Sequence, residues 1–237
     1  LVLGIYLANT LNTVTDLVSV FKRSGSHTVV QKWVALNGSP PDGQTAEVTV
    51  RELTGRFPKF QIMNDLLAGE DLSGYDYVIL CDDDVVLPEG FVDSFIALQD
   101  RLGFAIAQPA RTLNSYIDHP IVEQHIGVHA RQTLFVEIGP VVSFHRSAFG
   151  FVFPFDLTSP MGWGYENVWA REVLQRGLKM GIIDAVCVDH SLRKPVAHYD
   201  WEQADAQRNA FLERHDHLSL DECFTVLNAH LLAEEPA

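Results

Sequence analysis

Residues 77–88 read Tyr-Val-Ile-Leu-Cys-Asp-Asp-Asp-Val-Val-Leu-Pro, an unbroken apolar run that ends in three consecutive carboxylates. Tyr77–Cys81 shows no polar alternation, so both faces of the strand it predicts must be covered, as in the interior of a parallel sheet. The same logic extends outward. Leu1–Leu7 and Val29–Leu36 predict strands. Between them, Asn12–Ser24 predicts a helix with Thr13 as N-cap, Asp16 in the first turn, Leu17, Val20 and Phe21 on one face, and Gly25 as the stop. Asn37-Gly38 and Ser39–Gly43 mark turns. Phe57–Ala68 and Pro88–Arg101 predict two more helices, and Phe104–Ala107 another strand. Beyond a polar, His-rich stretch from Arg111 to Arg131, Leu134–Phe144 predicts a strand, Glu166–Gln175 a helix and Ile182–Val188 a last strand. Ser219-Leu-Asp-Glu222 is a capping box, expected to open a helix reaching about Leu231. This alternation predicts a doubly wound α/β domain with a mostly parallel sheet flanked by helices.

The chain has 237 residues, a length that suits one such domain. Its 17 basic and 31 acidic residues give a net charge of −14, which repels phosphate backbones and anionic lipid headgroups. Neither nucleic acid nor a peripheral membrane surface is therefore an expected partner, and no apolar run approaches the roughly 18 residues of a spanning helix. The opening residues lack the basic region of a signal peptide, although a chain that starts with Leu leaves room for an upstream anchor or domain. Cys81, Cys187 and Cys223 lack CxxC spacing and are expected to be buried free thiols, with one disulfide and a spare thiol as the alternative. That favours a bacterial cytoplasmic setting, but a trimmed luminal domain of the secretory pathway would read the same.

Three stretches carry chemistry. Asp82-Asp83-Asp84 falls at the carboxyl end of a buried strand, where open α/β sheets bind ligands, and suits a hard divalent cation that also bridges substrate phosphates. The alternative is a solvated acidic turn. In Met161-Gly-Trp-Gly-Tyr-Glu-Asn167, glycines flank a Trp whose flat face suits a sugar ring. Glu166 is then expected in the first turn of a helix, where the macrodipole favours the ionised carboxylate of a general base. The alternative is a Gly-rich turn around a core Trp. His190 ends the last strand and is a candidate metal ligand or a structural histidine.

Taken in order, these motifs resemble the nucleotide-sugar glycosyltransferases of the GT-A fold. YVILCDDDVVLP is similar to the strand and D-x-D motif of that fold, GWGYEN to the GWGGED segment of β-1,4-galactosyltransferases, and AVCVDHSLRK to the strand bearing their metal-binding His. Gln108-Pro109-Ala110, Val136-Glu137 with Pro140, and the WG-plus-acid pattern also resemble an uncharacterised plant and bacterial family thought to be glycosyltransferases. The similarity covers residues 70–195; residues 1–69 match only in general topology.

The resemblance implies a metal-dependent, inverting transfer of sugar from a nucleotide-sugar, a UDP-sugar above all, to a hydroxyl of a glycan or other acceptor. Asp84 and His190 would ligate Mn²⁺ or Mg²⁺, with Asp82 helping through the metal's waters or the donor ribose and Asp83 near the nucleotide. Glu166 would deprotonate the acceptor, and Trp163, Gly164, Tyr165 and Asn167 would line its site. Asn9, Thr10, Asn37 and Lys59 are donor-side candidates by topology, as is Arg56. Residues 1–110 would form the nucleotide-sugar half, 111–195 the acceptor and metal half, and 196–237 a helical tail. One departure stands out: Asn167 replaces a second acid that the galactosyltransferases carry. This motivates an alternative, a catalytically inactive GT-A-like domain that binds nucleotide-sugar or glycan. A phosphohydrolase with an Asp nucleophile is disfavoured, because the acidic motif follows two strand–helix units and no later G-D-x-x-x-D appears.

Overall fold

The computed structural model describes residues 1–194 and 201–231. In chain order the elements are β1 (Val2–Leu7), α1 (Val14–Lys22), β2 (Gln31–Leu36), α2 (Gln44–Val48), β3 (Thr49–Leu53), α3 (Lys59–Leu67), β4 (Tyr77–Asp82), α4 (Phe91–Leu102), β5 (Phe104–Arg111), β6 (Val128–Thr133), β7 (Val141–His145), α5 (Phe149–Val152), α6 (Tyr165–Gln175), β8 (Lys179–Val188), α7 (Trp201–Leu212), α8 (Leu220–Cys223) and β9 (Val226–Leu231). Among the described residues they build one nine-stranded sheet ordered β3-β2-β1-β4-β7-β5-β8-β6-β9. β7 and β6 run against the other strands, so the parallel plan expected from the buried apolar runs holds with two reversals.

Strand periodicity explains the layering. Val2 and Tyr6 of β1, with Ile79 and Cys81 of β4, face the core under α1 and α4, where Phe21, Phe91 and Phe95 pack. Their neighbours Leu3, Val78 and Leu80 point to the opposite core, shared with Phe60 of α3 and Trp169 of α6. Burying one such side chain contributes about 1.5–3 kcal/mol, so the two-sided pattern fixes the register of the interior strands. The chain lays β2 and β3 on one side of β1, then returns to place β4 on the other, with Ile5 opposite Asp82. This reversal opens a crevice beyond the carboxyl ends of β1 and β4.

Thr13 holds the loop between β1 and α1 to that crevice. It occupies the N-cap position but makes no side-chain cap. Its Oγ1 instead donates to the carbonyls of Asp83 (3.1 Å) and Val85 (2.6 Å), and its N–H to Asp83 O at 2.7 Å.

Three expectations are corrected. Of the Leu134–Phe144 run only the residues from Val141 onward are strand, as β7. The preceding residues are buried without a ladder, and Gly139-Pro140 interrupts the run, since Pro has no N–H to donate. The helix expected from Ser219 to Leu231 stops at Cys223, although its capping box is present. β9 follows and pairs antiparallel with β6, so the tail is helical only in part; its residues 195–200 and 232–237 lie outside the described residues. β3, which among the described residues pairs with β2 alone at the sheet's edge, was not anticipated. All three cysteines are free, Cys81 and Cys223 buried and Cys187 partly so. Among the described residues no helix is long and apolar enough to cross a membrane.

Candidate active site

The three carboxylates at the end of β4 diverge and find different partners. Asp82 turns toward α3, where Oδ1 accepts from Lys59 Nζ at 2.6 Å. Gly139 closes over this pair; a Cβ there would meet Asp82 Oδ2 at 2.7 Å and Lys59 Nζ at 3.2 Å, so a larger residue would push on the pair. Asp83 points inward and is buried. Its Oδ2 accepts the Leu7 N–H at 2.7 Å, and its carboxylate pairs with Arg193. Burial raises the Asp83 carboxyl above its ordinary value, against the opposing pull of Arg193 and the Leu7 N–H. Asp84 faces β8, with Oδ1 3.3 Å from His190 Nε2 and Oδ2 3.1 Å from the Arg193 guanidinium. Burial works to raise its carboxyl too, but His190 and Arg193 together hold it below the usual range.

His190 is fixed from the other side. Its N–H donates to Ser115 Oγ at 2.9 Å, its carbonyl accepts from Tyr116 N–H at 3.1 Å, and its Nδ1 is buried with no partner. Asp84 Oδ1 and His190 Nε2 lie about as far apart as two neighbouring ligands of one cation bound at 2.0–2.2 Å. Among the described residues there is no group of three or more His, Cys, Asp or Glu that could hold a metal ion. A cation held by this pair would need its remaining ligands from phosphate and water.

Glu166 begins α6, as its sequence position implies, but the electrostatics differ from expectation. Its Oε2 is enclosed with no hydrogen-bond partner. Burial pushes the carboxyl up to about 7, against the opposing pull of the Glu166 and Gly164 backbone and of His119. Desolvation outweighs the helix terminus, and the result is a carboxyl that titrates near neutrality, where a general base is most effective.

His119 and Glu137, whose charges act on it, belong to one network, in which Glu137 and Arg111 are buried and His119 is partly exposed. Glu137 pairs with Arg111 and with His119, whose Nδ1 is 2.5 Å from Glu137 Oε1, and Gln108 Oε1 accepts the Glu137 N–H at 2.5 Å. The Glu137 hydrogen bond raises the His119 pKa. Arg111 also donates to Tyr116 O at 2.7 Å, joining this network to the loop that anchors His190. Sequence reasoning gave Arg111, His119 and Arg193 no role. Glu137 entered only as part of a family pattern, and the neighbouring Gln108 of that pattern is its partner here.

The remaining candidates fall into two groups. Trp163 packs against Trp201, ring centroids 5.2 Å apart and tilted by 49°, and Trp201 stays 59% exposed. Gly164, Tyr165 and Asn167 face inward. A Cβ on Gly164 would meet Arg208 and Leu212 of α7 at 3.2 Å, Tyr165 OH donates to Asp156 O at 2.7 Å, and Asn167 Nδ2 donates to Leu218 O at 2.8 Å. These three hold α6 to its neighbours. Asn9 and Thr10 lie exposed in the turn after β1, with Thr10 Oγ1 donating to Asn9 Oδ1. Asn37 takes a left-handed φ of 61° and accepts the Gly55 N–H at 2.8 Å, the behaviour of a turn former. Arg56 is exposed. Arg131, to which no role was given, forms a buried ion pair with Asp184 that ties β6 to β8.

No protein-family model matches the chain, and no curated protein matches its sequence. Solved structures do. A crystal structure of GalNAc-T7 with UDP, GalNAc and Mn²⁺ superimposes with a TM-score of 0.54 at 11% identity, over 84% of this chain and 45% of that one. S. aureus TarS gives a TM-score of 0.54 at 11% identity, over 91% of this chain and 40% of that one. The chain thus spans less than half the length of either match. At this identity the likeness speaks to architecture, and it establishes the GT-A fold that the motif order implied.

Proposed function

We propose that this domain is a metal-dependent, inverting glycosyltransferase that moves a sugar from a nucleotide-sugar, a UDP-sugar first among candidates, to an acceptor hydroxyl. The observation that carries the reading is the meeting of Asp84 with His190 across the carboxyl ends of β4 and β8, in a fold shared with a structure that holds UDP and Mn²⁺. Mn²⁺ or Mg²⁺ held by Asp84 and His190, with Asp82 reached through water, would neutralise the donor diphosphate and stabilise it as a leaving group.

The chain's own residues supply the rest. Glu166 takes the acceptor proton onto its enclosed carboxylate, and the oxygen so freed attacks the anomeric carbon opposite the leaving diphosphate, which inverts the configuration. His119 and Glu137 set the charge around Glu166, because they are among the groups whose charge it feels. Trp163 and Trp201 give the acceptor an aromatic surface. On this reading residues 1–110 form the donor half and 111–195 the acceptor and metal half. Lys59, which neutralises Asp82, is on the donor side.

The test is donor hydrolysis or transfer in a panel of UDP-sugars and acceptors with Mn²⁺, Mg²⁺ or EDTA. Activity is expected only with metal, and its collapse is expected in Asp84→Ala and Glu166→Gln. Full activity in EDTA would sink the metal-dependent mechanism, and full activity in Glu166→Gln would remove Glu166 as base. The inactive-domain reading draws on Asn167, whose amide is engaged by Leu218 and cannot act as a second acid. Metal-dependent UDP binding without product across the panel would favour it.

A further inference from the structure

Three carboxylates at the end of one strand need positive charge beside them whether or not a ligand is bound. Lys59 answers Asp82. Arg193 answers both Asp83 and Asp84, and does so with its whole fork. Nη2 pairs with Asp83 Oδ1 and lies 3.1 Å from Asp84 Oδ2, Nε donates to Asp84 Oδ2 at 3.3 Å, and Nη1 donates to Asp83 Oδ2 at 3.3 Å and to Leu11 O at 3.2 Å. The two oxygens of Asp84 are thereby divided: Oδ1 looks at His190 and Oδ2 at Arg193.

This division sets up a competition. Asp83 is buried and tied to the Leu7 N–H, so its charge cannot leave the site. Arg193 lies beyond the end of β8 on a long side chain whose ion-pair contacts are all to these two carboxylates among the described residues. A divalent cation arriving alone at Asp84 would meet a guanidinium already on that carboxylate and be repelled by it. A cation arriving with a diphosphate brings the acceptor that a displaced guanidinium prefers, since phosphate oxygens accept its fork in bidentate fashion.

We propose that Arg193 is a stand-in cation: it neutralises Asp83 and Asp84 before donor binding and passes to the donor's diphosphate when metal and nucleotide bind together. The proposal rests on the reading of this site as one for a metal–nucleotide complex. Its consequence is that without nucleotide the protein binds divalent cations weakly, and that metal and nucleoside diphosphate strengthen each other's binding. By linkage the factor is the same in both directions, and couplings of this kind run about 5–150-fold.

Calorimetry with MnCl₂, in the absence of nucleotide and with saturating UDP, tests it on the wild type, Arg193→Gln and Arg193→Lys. Arg193→Gln is expected to tighten Mn²⁺ binding to the nucleotide-free protein by about tenfold and to shrink the Mn²⁺–UDP coupling by a similar factor. Arg193→Lys, which keeps a charge, should stay near the wild type without nucleotide. Unchanged or weaker Mn²⁺ binding in Arg193→Gln, with coupling intact, overturns the proposal while leaving the parent reading standing. If the wild type binds Mn²⁺ and UDP neither singly nor together, both fall. The unmodified protein offers a check that does not depend on a variant folding. The Arg193 Nε–H resonance should shift on addition of UDP with Mg²⁺ and stay put with Mg²⁺ alone; a resonance unmoved by both overturns the exchange.

Discussion

Glu166→Gln should stabilise the protein in the same stroke that inactivates it. The substitution keeps the shape of the side chain and removes one titration. A carboxyl whose folded pKa lies above its unfolded value holds its proton more tightly in the folded chain, so its effect is absent below the unfolded value and costs stability as pH rises. For Glu166 the window runs from 4.5 to about 7. At about 1.36 kcal/mol per pH unit, that rise amounts to roughly 3 kcal/mol, most of which accrues between pH 5 and pH 8. Other titrating groups are common to both proteins and largely cancel in the difference. Any cost of the amide at the enclosed position of Oε2 is a constant offset and does not change with pH. Thermal unfolding at a series of pH values should therefore show the variant gaining on the wild type by roughly 5–10 °C from pH 5 to pH 8, given about 2–4 °C per kcal/mol for a chain of this size. Parallel curves, or a variant that loses ground as pH rises, would refute the enclosure of this carboxyl. The same variant should lose transfer; retained transfer would leave the stability argument standing and move the base elsewhere.

Asn167→Ala should cost roughly 2 kcal/mol by urea unfolding, because it unpairs the buried Leu218 carbonyl and leaves a void, while metal-dependent UDP binding stays as in the wild type. Gly162→Ala should cost about 3 kcal/mol or more, since the new Cβ would meet the Phe60 ring at 2.1 Å on a backbone with φ of +88°; a neutral substitution would show that this turn yields. The His119 pKa is raised chiefly by its hydrogen bond to Glu137, so the pair stabilises the fold below the ordinary histidine value and that contribution fades as pH rises through the raised one. In Glu137→Gln, the imidazole titration followed by NMR should move down, and an unmoved titration would separate the two groups.

The strands that carry the site were legible because burial on both faces leaves a mark in composition. Tyr77–Cys81 and Ile182–Val188 had to be interior strands, and the residues just beyond them, Asp82 to Asp84 and His190, had to emerge at the sheet's carboxyl edge. Edge elements leave no such mark. β3 and β9 alternate too weakly to announce themselves, being largely exposed, and β9 was read as a helix because a capping box preceded it. The run from Leu134 to Pro140 shows the converse: apolar residues buried without a ladder look like strand until Gly139-Pro140 is weighed.

The sequence by itself determined the architecture and three motifs in order, because hydrophobic period and strand-end chemistry are local properties. Only the tertiary structure decided what those motifs face. It turned Asn167 into the interior, and gave Asp82 to Lys59 and Asp83 and Asp84 to Arg193. It enclosed Glu166 beside His119 and Glu137, so that burial and not the helix terminus sets its charge. Partners so distant along the chain are chosen by packing, and a carboxylate's pKa follows from the solvent and charges around it, neither of which is written in its neighbours in sequence.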